Sequence, residues 1–419
     1  MDWLPNCASY LCTAPNIGTV VSMAVHKALK KAIAYFTCLL LLLSFSFVET
    51  RAEASVFLVP SLTVSDEYND NFFFTSVDRE EDLLFLISPA LTLKIENSSI
   101  ILAANYVGGA ELHVNKDERN GYRQDLTFNI ELPSLSRKIV GMEVHVTEAL
   151  VFSPEIPSTA VGGSASRATT SVPSIGRGNN YRNMASIGMS YTWSPRWLAS
   201  FNYLNTIAQF EGDPLLHEDL IAHTIDIGST YNYSHTTKLI VEYGILITRP
   251  EVTDGFTERR VSFGGEHHID PTLIIREKLG GSFLRENAKI FVSEIGLEKK
   301  IEMAHTSLRY VRNITTGAGA APAATLSQTV SAEAGYAVNA RTAVVLKMDR
   351  TQTNALLGAD IKTVLSGANM IATCSFLKWL TGSASYAYFD RSGAGISDGY
   401  SNRVAFFLTA SDPGWRFLK

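Results

Sequence analysis

The segment "KLIVEYGILIT", residues 238–248, places Leu239, Val241, Tyr243, Ile245 and Ile247 on one parity and Glu242, Gly244 and Thr248 on the other. "ASIGMSYTW", 185–193, sets Ala185, Ile187, Met189, Tyr191 and Trp193 against Ser186, Gly188, Ser190 and Thr192. "QTVSAEAGYAV", 328–338, repeats the pattern with Val330, Ala332, Ala334, Tyr336 and Val338. Successive side chains of a strand point to opposite faces, so a period of two means strands with one apolar and one polar or small face. Several such segments run beyond ten residues, longer than the roughly five or six usual in soluble sheets and long enough for the roughly 9–11 that cross a bilayer. Helical patterning is weak after residue 54, and its nearest candidate, "TNALLGADIKTVL" at 353–365, carries Gly358 in its middle.

The connections alternate in length. Short turns fall at 96–99, 134–138, 194–196, 234–236, 270–271, 299–302, 339–341 and 377–379, and longer polar connections at 116–124, 152–180, 211–218, 250–256, 315–326, 353–366 and 391–399. "REN", 285–287, is short where a long one is due. Short turns at one end and long loops at the other are the plan of an outer-membrane barrel, with the short turns periplasmic. The pattern predicts an all-β, antiparallel up-and-down transmembrane barrel of 16–18 strands, counted as eighteen and closing with "SNRVAFFLTA", 401–410. Closure is required in lipid, because an open sheet edge would leave N–H and C=O groups without partners. An exported β-sandwich, β-helix or propeller is the competing architecture, and it has less use for so many long consecutive hairpins.

Ahead of the strands, Lys27, Lys30 and Lys31 precede the apolar run "AIAYFTCLLLLLSFSFV", 32–48, and then Ala52-Glu53-Ala54. A basic region, an apolar run and a small-residue cleavage site in that order predict a signal peptide over 23–54. An uncleaved anchor is the alternative. Residues 1–22 fit neither and read as a leader upstream of a start at Met23, which leaves 55–419 as a single barrel domain. Only Cys374 of the four cysteines lies beyond the apolar run, so no intrachain disulfide is expected there, and no haem or zinc spacing is present. With 36 Lys and Arg against 41 Asp and Glu, the formal charge of −5 argues against a nucleic-acid partner.

Candidate sites are few. Asp226 and Glu242 sit on the polar parity of adjacent strands and are expected to line the lumen, since charge on a lipid-facing wall is costly. Trp193, Trp197 and Trp379 stand beside short turns and are expected to form an interfacial belt. "EHHID", 266–270, resembles a metal site, but adjacent strand residues diverge, so His267 and His268 cannot share one ion. The small-residue loop at 158–180 reads as an external loop or an inward constriction, and "GAGAAPAA", 316–323, supports no specific contact. No nucleophile motif such as GxSxG occurs, and neither an enzyme nor a cofactor is expected.

The opening "VPSLTVSDEYNDNFFFTSVDREEDLLFLISPALTL", 59–93, combines an E-Y-N-D-N segment with a strand containing S-P-x-L-x-L. With "KWLTGSASYAYFD", 378–390, and "NRVAFFLTASDPGWRF", 402–417, it resembles the outer-membrane proteins grouped as β-barrel porin 2. That resemblance spans 56–417, is most specific at the two ends, and implies an outer-membrane barrel often encoded near polysaccharide-export or exosortase-related systems. It brings no catalytic residues. In "SDEYND", 65–70, alternation separates neighbouring side chains across the wall, so Asp66, Glu67 and Asp70 do not read as one constellation, and the phenylalanines that follow read as rim or lipid-facing anchors.

Three functional readings follow: a channel or transport component for small solutes or saccharides; a non-catalytic scaffold in an exopolysaccharide export or assembly complex; and a sleeve for a separately encoded electron-transfer partner. Each places the chain in the bacterial outer membrane, with lipid, lipopolysaccharide and the barrel-assembly machinery as partners, and the second adds periplasmic export proteins.

Overall fold

The computed structural model describes residues 55–418 apart from 73–74, 77–78, 117–118, 158–173, 212–218, 252–253, 285–287, 317–323, 357–361, 394–397 and 413. The leader and signal segments expected over 1–54, and most of the small-residue loops, lie outside the described residues. The wall is built from β1 (Ser55–Asn69), β2 (Asp82–Glu96), β3 (Ile101–His113), β4 (Gly121–Glu131), β5 (Met142–Pro157), β6 (Ser174–Ser194), β7 (Trp197–Phe210), β8 (Leu220–Asn232) and β9 (Thr237–Pro250). It continues with β10 (Phe256–Asp270), β11 (Leu273–Leu284), β12 (Lys289–Ile301), β13 (Ala304–Thr316), β14 (Ala324–Asn339), β15 (Thr342–Ala355), β16 (Lys362–Leu377), β17 (Leu380–Gly393) and β18 (Gly399–Ser411). Each strand pairs antiparallel with the next, and β18 pairs back onto β1 from Ser61↔Ser411 to Asn69↔Arg403, closing the barrel at eighteen strands.

The registers fix the barrel's size. From Ser55 at the foot of β1, paired residues run through Glu96, Ile101, Glu131, His145, Gly188, Asn202, Asp226, Gly244, Arg260 and Ser282 to Ile290, one residue from the long-loop end of β12. Carried round the whole circuit, this drift amounts to a shear of about 22 residues. With a rise of about 3.4 Å and a strand spacing of about 4.8 Å, it sets a tilt of roughly 41° and a backbone radius of roughly 18 Å. A strand of 14 residues then stands about 36 Å tall, more than the apolar band of about 25 Å that such barrels present.

Three features depart from the expected outline. The strands reach further into the long connections, with β5 running to Pro157 and β6 starting at Ser174. Pairing above a membrane does not require apolar alternation, so the two-residue period undercounts these extensions. The connection at 134–138 contains a single helical turn, α1 (Pro133–Lys138), in place of a plain turn. The wall also ends later than 410: β18 runs to Ser411, and after Asp412 the short strand β19 (Trp415–Leu418) pairs with Val56–Leu58 of β1. Gly414 makes that step at φ +102°, where a side chain would be strained.

Parity separates the two faces. Leu62, Val64 and Tyr68 of β1, Leu239, Val241 and Tyr243 of β9, and Phe406 and Leu408 of β18 are large, apolar and exposed. The opposite parity carries the polar and charged residues, and these reach across to next-nearest strands, as side chains on the concave face of a barrel do. Near the long-loop end Phe256 and Leu284 are buried together with Ile314 and Ala324, packed against Leu246, Ile290 and Leu356.

Candidate functional site

Across β8 to β13 the inner face carries a ladder of alternating charge. Arg260 donates to Asp226 at 3.0 Å, Lys278 lies 2.8 Å from Glu242 and 3.9 Å from Glu294, and Glu294 accepts from Arg309 at 2.7 Å. Nearer the short-turn end, Glu266 is held by Lys238 and Arg276, both at 2.8 Å, while Arg276 also reaches Glu298 at 2.9 Å. On β13 to β15, Glu333 joins His305 at 3.0 Å to Lys347 at 3.3 Å.

The Asp226–Arg260 pair skips a strand, and the residue it passes over is Gly244. A Cβ at that position would stand 2.7 Å from the Asp226 carboxylate and 3.1 Å from the Arg260 guanidinium. Residue 244 pairs directly with both Asp226 and Arg260, so only a residue without a side chain lets the two charges meet across β9.

A cavity of about 150 Å³ opens on this ladder, lined by Glu242, Arg260, Lys278, Glu294, Arg309 and Arg312. It lies where the β12–β13 ladder stops, at Ser293↔Arg312. Beyond that point Lys289–Val292 pair only with β11 and Asn313–Thr316 only with β14. Arg312 bridges the parting by donating its Nε to the carbonyl of Phe291 at 3.0 Å.

The E-Y-N-D-N segment forms a clasp across the seam that joins β1 to β18. Asp70 accepts from the backbone N–H of Asn402 at 2.6 Å and from its side-chain amide at 2.7 Å. Ser401 donates to Asn69 at 2.7 Å, and fully buried Asn71 donates to the carbonyls of Thr75 and Tyr400. Arg79 lies over the Tyr400 ring at 3.9 Å and donates to its hydroxyl. The same connection is tied to the next one: Arg119 donates to Glu80 at 2.8 Å and sits over Phe72, whose ring meets His113 edge-on. The bonds from Arg119 and Lys116 hold the Glu80 carboxyl below its ordinary range. Asp219, before β8, behaves oppositely, because burial pushes its carboxyl up.

Asp226 and Glu242 therefore both stand on the inner face, each paired with a base, and the bases were the part that sequence reasoning left out. Trp193 and Trp197 are exposed on the outer parity 6.2 Å apart, with Tyr231 4.7 Å from Trp197, and Trp379 is exposed in its short turn. His267 and His268 diverge as alternation requires: His267 meets the Thr237 hydroxyl and His268 meets Glu266. Asp270 accepts from the N–H groups of Thr272 and Leu273 in the turn, and no cluster of three metal-ligating side chains occurs among the described residues. Of the three phenylalanines after the E-Y-N-D-N segment, Phe72 packs under Arg119 at the rim; the other two are outside the described residues.

The chain is thus a closed eighteen-stranded antiparallel barrel with an apolar outer wall and a charge-laddered inner wall. No family model matches it, the family that its opening resembles included, and no curated protein matches it. Among solved structures it is similar to OccAB3 of Acinetobacter baumannii, at 10% identity and a TM-score of 0.48, over 86% of this chain and 99% of that one. It is also similar to OpdQ of Pseudomonas aeruginosa, at 7% identity and 0.47, over 85% and 98%. The outer membrane protein OpdK of the same organism follows at 10% identity and 0.46, over 85% and 99%.

Proposed function

We propose that the protein is an integral outer-membrane channel for small polar solutes, without a catalytic step. The observation that carries this reading is the division of one closed wall into an apolar outer face and an inner face of paired charges. A water-filled interior stabilises such pairs by keeping them hydrated, whereas an apolar core would penalise them heavily. Trp193, Trp197 and Trp379 then mark the periplasmic interface, and Asp226 and Glu242 line the conduit.

The wall also narrows the cargo. The ladder alternates in sign, so it offers hydrogen-bond donors and acceptors in turn without a one-sign ring, which favours weak charge selectivity. The strand tyrosines, among them Tyr106, Tyr191, Tyr243, Tyr336 and Tyr386, lie on the outer parity. The inner parity carries phenylalanines, of which Phe256 and Phe389 are buried, and no tyrosine among the described residues, so the small-solute half of the reading is preferred. Kinship with β-barrel porin 2 and contact with the barrel-assembly machinery belong to the same proposal.

Reconstitution of the folded protein into a planar bilayer tests it. Stepwise conductance with a cation-to-anion permeability ratio within a few-fold of unity is expected. A correctly folded sample that never conducts would remove the channel reading and leave the scaffold one.

A further inference from the structure

Lys238, Arg260, Arg276, Lys278, Arg309 and Lys347 of the inner parity are all ion-paired, whereas several bases on the outer wall are not. Arg249 of β9, Arg259 of β10 and Lys289 of β12 share the parity of Tyr243, Phe263, Phe283 and Phe291, which are exposed apolar residues of the outer face. All three bases are exposed, and none has an ion pair or hydrogen bond among the described residues. Arg259 contrasts directly with its neighbour Arg260, which turns inward to Asp226.

They stand 11 or 12 residues from the short-turn ends of their strands. Carried through the registers at the tilt derived above, Arg249 and Lys289 lie at about 30 Å and Arg259 roughly 6 Å below them. An apolar band of about 25 Å starting at the tryptophans would end close to Arg259 and beneath the other two. Arg259 and Lys289 flank Phe283, with which each is directly paired, so they lie about 10 Å apart across two strand spacings. On β9 to β12 the outer parity carries one acid, Glu277, and it lies near the short-turn end. Glu251 and Asp254, in the connection after β9, form no ion pair with these bases among the described residues.

We propose that the outer face of β9–β12 at the long-loop end binds the phosphate groups of an anionic glycolipid of the outer leaflet. Unpaired bases at the upper edge of an apolar band, with Phe283 between Arg259 and Lys289 and Phe291 below Lys289 to meet acyl chains, are complementary to a lipid that carries phosphate on a sugar headgroup. The short-turn end of the same outer face carries a single base, Lys299, close enough to Asp270 to act on its carboxyl, and so lacks the three-base arrangement. This inference rests on the membrane reading above and adds a fixed, one-sided lipid site to it.

The test is native mass spectrometry of the full folded protein, loaded in detergent with bisphosphorylated lipid A or with the same glycolipid stripped of phosphate. The expected result is retention of the phosphorylated lipid, weakened about fivefold for each base removed and about a hundredfold in R249S/R259S/K289S. Equal retention of the stripped lipid by the unaltered protein would overturn the proposal, and that arm needs no variant to fold. Undiminished retention by a triple variant that still shows folded migration on an unheated gel would overturn it as well. Conductance of the unaltered protein reports separately on the channel reading: lipid retained by a non-conducting barrel removes the channel and keeps the site.

Discussion

Replacing Lys278 by Met leaves Glu242 without its 2.8 Å partner while the stem of the side chain still covers the wall. Glu294 keeps Arg309, so the local change is one uncompensated carboxylate facing the lumen. A monovalent ion passing about 7 Å from that charge gains about 0.6 kcal/mol in water. At 0.1 M salt, where the screening length is about 10 Å, roughly half of this survives. About 0.3 kcal/mol enriches cations and depletes anions by about 1.7-fold each, so the permeability ratio moves about threefold toward cations. At 1 M salt the screening length falls to about 3 Å and the shift shrinks to about 1.2-fold. Reversal potentials across a salt gradient measure both values. The neighbouring outer-face substitution Glu277→Gln, also a change of one charge, is the control and leaves the ratio where it was. A Lys278→Met protein with unchanged selectivity at low salt, or a shift that ignores salt, would refute the assignment of this parity to the lumen.

Three further outcomes follow from other parts of the molecule. Asp70→Ala leaves the amide groups of Asn402 without an acceptor, and at about 1–3 kcal/mol per orphaned buried group it lowers the temperature at which the folded gel band is lost. Gly414→Ala strains the left-handed step by roughly 1–2 kcal/mol and releases β19, so amide exchange at Val56–Leu58 accelerates while the β1–β2 pairing persists. The two rim carboxyls answer acid in opposite senses. Glu80, depressed by Arg119, contributes stability that is complete above its unfolded value of about 4.3 and is lost as pH falls through its lower folded value. Exchange at the Phe72 amide, bonded to the Glu80 carbonyl, should therefore rise on acidification. Asp219, raised by burial, contributes most below its unfolded value of about 3.9 and loses that contribution as pH rises through its higher folded value. Protection of the Phe210 amide, which donates to Asp219, reads out that change.

Strand existence and side-chain parity were legible because both follow from alternation: Asp226 and Glu242 share one parity of the wall for the same reason that Leu239 and Tyr243 share the other. The bases that pair with them were not legible. Arg260 and Lys278 lie 34 and 36 residues away, and which inward residues meet depends on inter-strand register and on Gly244 being bare. Arg259 and Arg260 look alike in sequence, and only parity assigns them opposite fates. The E-Y-N-D-N segment was visible as a landmark but not as a clasp, because its partners lie more than three hundred residues away. Register and long-range closure are tertiary facts, and a local pattern does not encode them.

The Asp70–Asn402 contact spans a sequence separation of 332 residues. Bringing such distant points of a flexible chain together costs about 5 kcal/mol of loop entropy, a cost that grows only logarithmically with length. Each hairpin can form as its two strands meet, but the seam can zip only after both β1 and β18 are present. Its clasp therefore acts as a proof of completion: a chain stopped short of Asn402 builds sixteen good ladders and has nothing to latch. Nascent barrels that have finished and those that have not would thus differ by the β1–β18 ladder and by the hydrogen bonds that latch it at the rim, on the side facing away from the cell.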